Sequence, residues 1–161
     1  AFRTMGGIIY AFGNTDQAPF HKKFVAGGAN DLRGWKAFKR PAGSLVVTDT
    51  LYTGGLKLIS SVEYRFNLIK KLKAAVFIDA GNIWEIAQNN HKYEAANFYW
   101  DTFIDQIAVD IGLGLRFDFQ YFIFRTDLGF PLRDPSEGSN WQWKKVNLKD
   151  SQLNIGLGYP F

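Results

Sequence analysis

The sequence predicts an all-β fold: a transmembrane antiparallel β-barrel, of which this chain carries six strands. Three observations predict it. Apolar and polar residues alternate with period two over segments of about 9 to 13 residues. Soluble strands usually run about 5 to 6 residues, and tilted membrane strands about 9 to 11. The apolar side of every segment is free of charge, while the polar side is rich in glycine and holds Glu63, Arg65, Asp79, Asp110, Arg116, Arg125 and Asp127. The connections alternate long and short, the pattern of outer loops and periplasmic turns in such barrels.

The first strand is expected over 2–12, with Phe2, Thr4, Ile8, Tyr10 and Phe12 on one face. A long loop over 13–54 follows. The second strand, 55–68, sets Leu56, Leu58, Val62, Tyr64, Phe66 and Leu68 against Lys57, Glu63, Arg65 and Asn67. The turn Ile69-Lys70-Lys71 leads into a third strand over 72–82, with Leu72, Ala74, Val76 and Ile78 opposite Lys73, Phe77 and Asp79. After a loop over 83–106, the fourth strand (107–119) alternates without a slip from Ile107 to Phe119, and Gly112, Gly114 and Arg116 lie on its polar face. Gln120-Tyr121 turns the chain into a fifth strand over 122–130. The sixth strand is expected over 151–161. There Leu153, Ile155, Leu157, Tyr159 and Phe161 point toward lipid, and Gln152, Asn154, Gly156, Gly158 and Pro160 toward a lumen. With short turns on the periplasmic side, the last strand runs downward and Phe161 reaches the periplasmic rim. Tyr64, Phe66, Phe117, Phe119, Phe122 and Tyr159 gather there like an interfacial aromatic girdle.

A soluble sandwich also alternates, because a buried core and a lipid face look alike. Strand length and the charge-free apolar face favour lipid. Six strands fall short of the roughly eight that close a membrane barrel, and an open sheet leaves unpaired edges in hydrocarbon. The chain is therefore expected to be the C-terminal portion of a larger barrel. Ala1-Phe2-Arg3 already starts a strand pattern, so an exported protein would have further sequence upstream.

The composition excludes several functions. The 161 residues suit one domain and contain no cysteine, which removes disulfides, thiolate metal sites and a cysteine nucleophile. A net charge of +4 is too mild to imply nucleic acid. No apolar run approaches the roughly 20 residues of a spanning helix. His21 and His91 lie in loops, no G-x-S-x-G motif occurs, and Ser60, Ser61 and Ser151 are distant from both histidines in sequence, so catalysis is not expected. Asp101 and Asp105 read as solvated carboxylates before they read as a cation site. Lys36, Lys39, Arg40, Lys144 and Lys145, with Trp141 and Trp143, read as solvated loop first and as contacts to anionic headgroups second. Gly112-x-Gly114 has no helix after it and is not a nucleotide loop; its glycines suit strand curvature and close approach of an internal loop. No cofactor and no metal are expected.

The long loop contains Gly27-Gly28 followed by Leu32-Arg33-Gly34-Trp35. Later come Val62-Glu63-Tyr64-Arg65-Phe66, Phe77-Ile78-Asp79-Ala80-Gly81-Asn82-Ile83-Trp84, Gly112 to Asp118, Arg125 to Pro131, and a terminal Tyr159-Pro160-Phe161. In this order and spacing they resemble the BamA/TamA outer-membrane assembly family, also called bacterial surface antigens, over essentially the whole chain. The wording is most similar to TamA-like members of the Bacteroidota. The resemblance implies a sixteen-stranded barrel in the bacterial outer membrane whose loop tip folds back into the lumen.

Glu63 and Asp79 lie on the lumen side of adjacent strands, where Arg33 could bond both carboxylates; from the residues alone a solvated loop arginine is an equal alternative, and it is the resemblance that implies the pairing. Gly34 gives the sharp turn and Trp35 packs the tip. Arg33→Ala is expected to leave two unpaired carboxylates, and Asn154 and Gly112 to tolerate polar changes. The resemblance further implies an insertase whose first and last strands pair weakly, so that an incoming strand adds to an exposed edge. Leu153, Ile155, Gly156, Leu157, Gly158, Tyr159 and Phe161 would form that seam strand, with Gly156, Gly158 and Pro160 weakening its ladder. Expected partners are outer-membrane lipid and lipopolysaccharide, nascent β-barrel clients, the remaining barrel strands and upstream periplasmic POTRA domains. Further assembly subunits stay open. A two-partner-secretion transport pore and the barrel anchor of a lipase-like enzyme are the alternatives.

Overall fold

The structure, a computed structural model, describes residues 1–15, 18–46, 51–86, 91–138, 140–143 and 146–160. Its strands are β1 (Phe2–Ile8), β2 (Leu56–Ile69), β3 (Leu72–Trp84), β4 (Ala108–Asp118), β5 (Ile123–Arg133) and β6 (Gln152–Leu157). They form one antiparallel sheet in sequence order, β1-β2-β3-β4-β5-β6. Two-residue and four-residue turns join β2 to β3 and β4 to β5, and Gln120 takes φ 72 in the second. Among the described residues, no strand pairs with the outer edge of β1 or of β6.

The periodic faces sort as alternation dictates. Leu113, at the middle of β4, is 58% exposed, and Leu153, Ile155 and Leu157 of β6 are all exposed on the same outer side. The inner side is covered by the long loop. Ala26, Leu32 and Ala42 of the loop pack with Ile59, Ile83 and Ala108 from β2, β3 and β4 in one apolar cluster, flanked by Phe24, Trp35 and Leu45. Above it Trp84 is fully buried and donates from Nε1 to Gln106 Oε1 at 2.7 Å.

Three boundaries differ by three residues or more from those expected. β1 ends at Ile8 rather than at residue 12. β5 runs three residues further, to Arg133, carrying Pro131 into the ladder; the register shifts between Val109 and Asp110, opposite this proline, where an irregular ladder tolerates a missing N–H. β6 stops at Leu157, because Gly158 adopts φ 81, a conformation glycine reaches without a steric penalty.

That turn also corrects the assignment of Tyr159. Alternation had placed it with Leu157 on the lipid side. Instead its ring lies 4.2 Å from the guanidinium carbon of Arg65, and its hydroxyl accepts from Lys73 Nζ at 3.1 Å. Pro160 O accepts from Arg3 Nη1 at 3.1 Å. The tail thus folds inward, against lumen-side residues of β1, β2 and β3. Phe161 lies outside the described residues.

Candidate functional site

Strand register builds the floor of the site. Glu63 stands opposite Phe77, Phe77 opposite Gly112, Gly112 opposite Gly129, and Gly129 opposite Gln152. One row across β2 to β6 is therefore carboxylate, flat ring, and two positions without side chains. The Phe77 ring spreads over Gly112, where a Cβ would stand 2.2 Å from the ring. Polar substitutions at Gly112 are thus excluded by space, contrary to the tolerance expected from its lumen position. The backbone of Arg33 rests on Gly129, where a Cβ would stand 2.4 Å from the Arg33 carbonyl oxygen. Gly34 is needed for the same reason: its Cβ would lie 2.6 Å from that of Asp110.

Arg33, 1% exposed, lies on this floor. Its guanidinium carbon is 3.4 Å from the centre of the Phe77 ring, a cation–π geometry. Nε donates to Asp79 Oδ2 at 2.7 Å and Nη2 to Asp79 Oδ1 at 2.9 Å, a bidentate fork; Nη1 donates to Glu63 Oε2 at 2.6 Å. Arg33, Glu63 and Asp79 are thus in direct contact. The Gly34 N–H donates to Asp110 Oδ2 at 2.9 Å. Trp35 Nε1 donates to Asp134 Oδ2 at 3.0 Å, tying the tip to the segment after β5.

The network is larger than the pairing expected from the sequence. Glu63 also accepts from Arg65 Nε at 2.6 Å and from Arg116 Nη2 at 2.9 Å. Arg116 reaches Asp127 Oδ1 at 2.5 Å, and Arg125 donates to Asp127 Oδ2 at 3.2 Å. Arg125 further donates to Ala29 O at 2.8 Å and to the Asn30 side chain. Arg3 donates to Asn30 O at 2.6 Å, Lys57 to Asp31 Oδ2 at 2.6 Å, and Asn154 Nδ2 to Arg33 O at 2.8 Å. Each of the six strands therefore gives at least one side chain to residues 29–34. Buried guanidinium groups are tolerated because charge of both signs alternates and the hydrogen bonds are charge-assisted.

Alternation alone had placed Asp110, Arg116, Arg125 and Asp127 on the lumen side, but not around Glu63 and the loop tip. Asn154, expected to be tolerant, is buried and bonded to the tip. Gly156, expected to weaken the ladder of β6, has a second reason to lack a side chain: its Cβ would lie 2.6 Å from Arg125 Nε.

A second cation of the same loop is buried behind the tip. Arg40 is fully buried, with Nη1 3.5 Å from Asp134 Oδ1. Burial lowers its pKa to about 10, and Asp134 only partly offsets this. Burial opposes the charge of Asp134 in turn, but Arg40 and hydrogen bonds from Ser136 and Trp35 outweigh it and hold the carboxyl below its ordinary 3.8.

Other sequence candidates stay apart from the site. Asp105 is exposed and lies 3.4 Å from Arg133 Nη2. Trp141 and Trp143 stack at 5.8 Å, while Lys144 and Lys145 lie outside the described residues. Among the described residues, no group of three or more His, Asp or Glu side chains is placed to hold a metal ion.

A lipid-facing antiparallel sheet wrapped on its own charged loop tip defines a β-barrel membrane protein of the outer-membrane type. The model of the Omp85 superfamily domain matches residues 1–161, and the chain belongs to that superfamily, which includes the BamA, TamA and surface antigen proteins. Its members are outer-membrane β-barrels of protein insertion and transport, a non-enzymatic family that works with client proteins and other subunits.

Proposed function

We propose that this chain is the C-terminal portion of a sixteen-stranded outer-membrane insertase, in which β6 forms one side of a lateral seam and offers its edge to incoming strands of client barrels. The observation that carries this reading is β6 itself. It is six residues long, faces lipid through Leu153, Ile155 and Leu157, and its ladder with β5 stops where Gly158 turns the chain inward. An exposed edge of backbone donors and acceptors templates a further strand. The short ladder and the break at Gly158 make that pairing easy to exchange. Arg33, Gly34, Trp35, Glu63 and Asp79 act as a lock that keeps the loop tip in the lumen while the seam works. The order and wording of the motifs support a TamA-like member. The partners proposed are outer-membrane lipid and lipopolysaccharide, nascent barrels, the other barrel strands and upstream POTRA domains.

This chain has no cysteine of its own to compete in a crosslink. A disulfide between a cysteine at Gln152 and one on the first barrel strand of the full-length protein should stop insertion of a client barrel into proteoliposomes, and reductant should restore it. Unchanged insertion by the crosslinked protein refutes the seam. Secretion through the lumen, the alternative transport reading, would survive that crosslink.

A further inference from the structure

The loop tip is held through its guanidinium and through its backbone. The guanidinium hydrogen-bonds to β2 and β3, through Glu63 and Asp79, and lies 3.7 Å from Asp127 of β5. The backbone goes to β4, β5 and β6: the Gly34 N–H to Asp110, the Arg33–Gly34 peptide onto Gly129, and the Arg33 carbonyl to Asn154. We propose that Asn154 is a positioning residue that couples the register of β6 to the docking of the loop tip, so that movement of the seam strand and release of the loop favour one another. This rests on reading β6 as the seam strand.

Three observations support the coupling. First, β6 presents only Gln152, Asn154 and Gly156 to the lumen. Gln152 Nε2 bonds the carbonyl of its own neighbour Leu153 at 2.7 Å, and Gly156 has no side chain. Asn154 is therefore the side chain with which β6 reaches the tip. Second, the bond is register-specific. Asn154 stands opposite Asp127. A slip of one residue along β5 would turn its amide to the lipid side, and a slip of two would carry it about 6.6 Å away. Any exchange of β6 pairing that shifts the strand breaks the bond. Third, the acceptor is the carbonyl of Arg33 itself, one residue's backbone away from the guanidinium fork. Loss of the fork frees that carbonyl to move, and loss of the Asn154 bond removes one restraint on the fork. Coupling of this kind is reciprocal.

The test is hydrogen exchange on the full-length protein in lipid nanodiscs, read separately over residues 29–35 and 152–157. Arg33→Ala, which breaks the guanidinium contacts, should speed exchange in both segments. The rise over 152–157 should be roughly 2- to 12-fold, the range that one net hydrogen bond supplies. Placed on an Asn154→Ala background, Arg33→Ala should still loosen 29–35 but add nothing over 152–157. An Arg33→Ala effect on β6 that is equal in both backgrounds overturns the proposal, and so does no effect on β6 in the wild-type background. If Asn154→Ala fails to reach the folded, heat-modifiable form, Asn154→Ser, too short to reach the Arg33 carbonyl, serves the same comparison. Client insertion is measured in parallel. If Asn154→Ala removes the Arg33→Ala effect over 152–157 while insertion is unchanged, the coupling stands and the seam is removed as the insertion route.

Discussion

Removing Arg33 tests the lock at its most constrained point. Arg33→Ala deletes donors at 2.6, 2.7 and 2.9 Å from two carboxylates, but the two are left in different positions. Glu63 keeps Arg65 Nε at 2.6 Å and Arg116 Nη2 at 2.9 Å. Asp79 keeps the long contact from the Arg33 backbone N–H at 3.3 Å and a side-chain hydrogen bond with Asp110, opposite it in the ladder, but no cation among the described residues. The substitution therefore orphans one buried carboxylate, not two. Stranding one buried charge costs about 3–5 kcal/mol. The two acids should then respond oppositely to neutralisation. Asp79→Asn on the Arg33→Ala background removes the stranded charge and should recover a large share of the loss. Glu63→Gln on that background should deepen it, because Arg65 and Arg116 lose their shared counter-ion. The assay is guanidinium unfolding of the full-length barrel in detergent, followed by tryptophan fluorescence and by heat-modifiable gel mobility. A cost for Arg33→Ala below about 1 kcal/mol, the scale of a solvated pair, would refute the reasoning. So would a rescue by Glu63→Gln as large as that by Asp79→Asn.

Two other outcomes follow from the same geometry. Leu113→Arg, at the exposed centre of β4, should destabilise the barrel in bilayers by about 2–4 kcal/mol, while Asn67→Asp at the open lumen-side end of β2 should cost little; equal costs would remove the lipid assignment. Asp134 ionises more readily in the folded chain than its ordinary 3.8, so its contribution is complete above that pH and fades as pH falls through the lower folded value. Asp134→Asn should abolish this acid-side loss and, by leaving buried Arg40 without a counter-ion, cost about 3–5 kcal/mol at neutral pH. Protease cleavage within residues 36–46 across pH 2–7 reads both effects, and a wild-type profile flat over that range would contradict them.

Much of this architecture was legible before any coordinates. Alternation is local: a pleated strand sends successive side chains to opposite faces, so the lipid stripe of β4 and the charge-bearing lumen stripe could be read residue by residue. The turn after Ile69 makes β2 and β3 neighbours and so brings Glu63 and Asp79 together, but that the Arg33-Gly34-Trp35 tip enters the lumen to meet them came from the family resemblance. The ends of strands were less legible. Alternation continues past Leu157 through Tyr159, yet the ladder stops at Gly158, whose φ of 81 turns the tail inward to Arg65, Lys73 and Arg3. A hydrophobic pattern carries no information about a backbone angle that glycine leaves free.

The sequence by itself determined the fold class, the faces of the strands and the arginine that enters the lumen. Only the tertiary structure decided how that arginine is held. Glu63 is shared by Arg33, Arg65 and Arg116, Asp127 is gripped by Arg116 and Arg125, and Asn154 of the last strand holds the Arg33 carbonyl. These contacts join residues up to 121 positions apart. They depend on the register of four strand pairings and on where a long loop lands, and both are settled by the packing of the whole sheet rather than by any local run of residues.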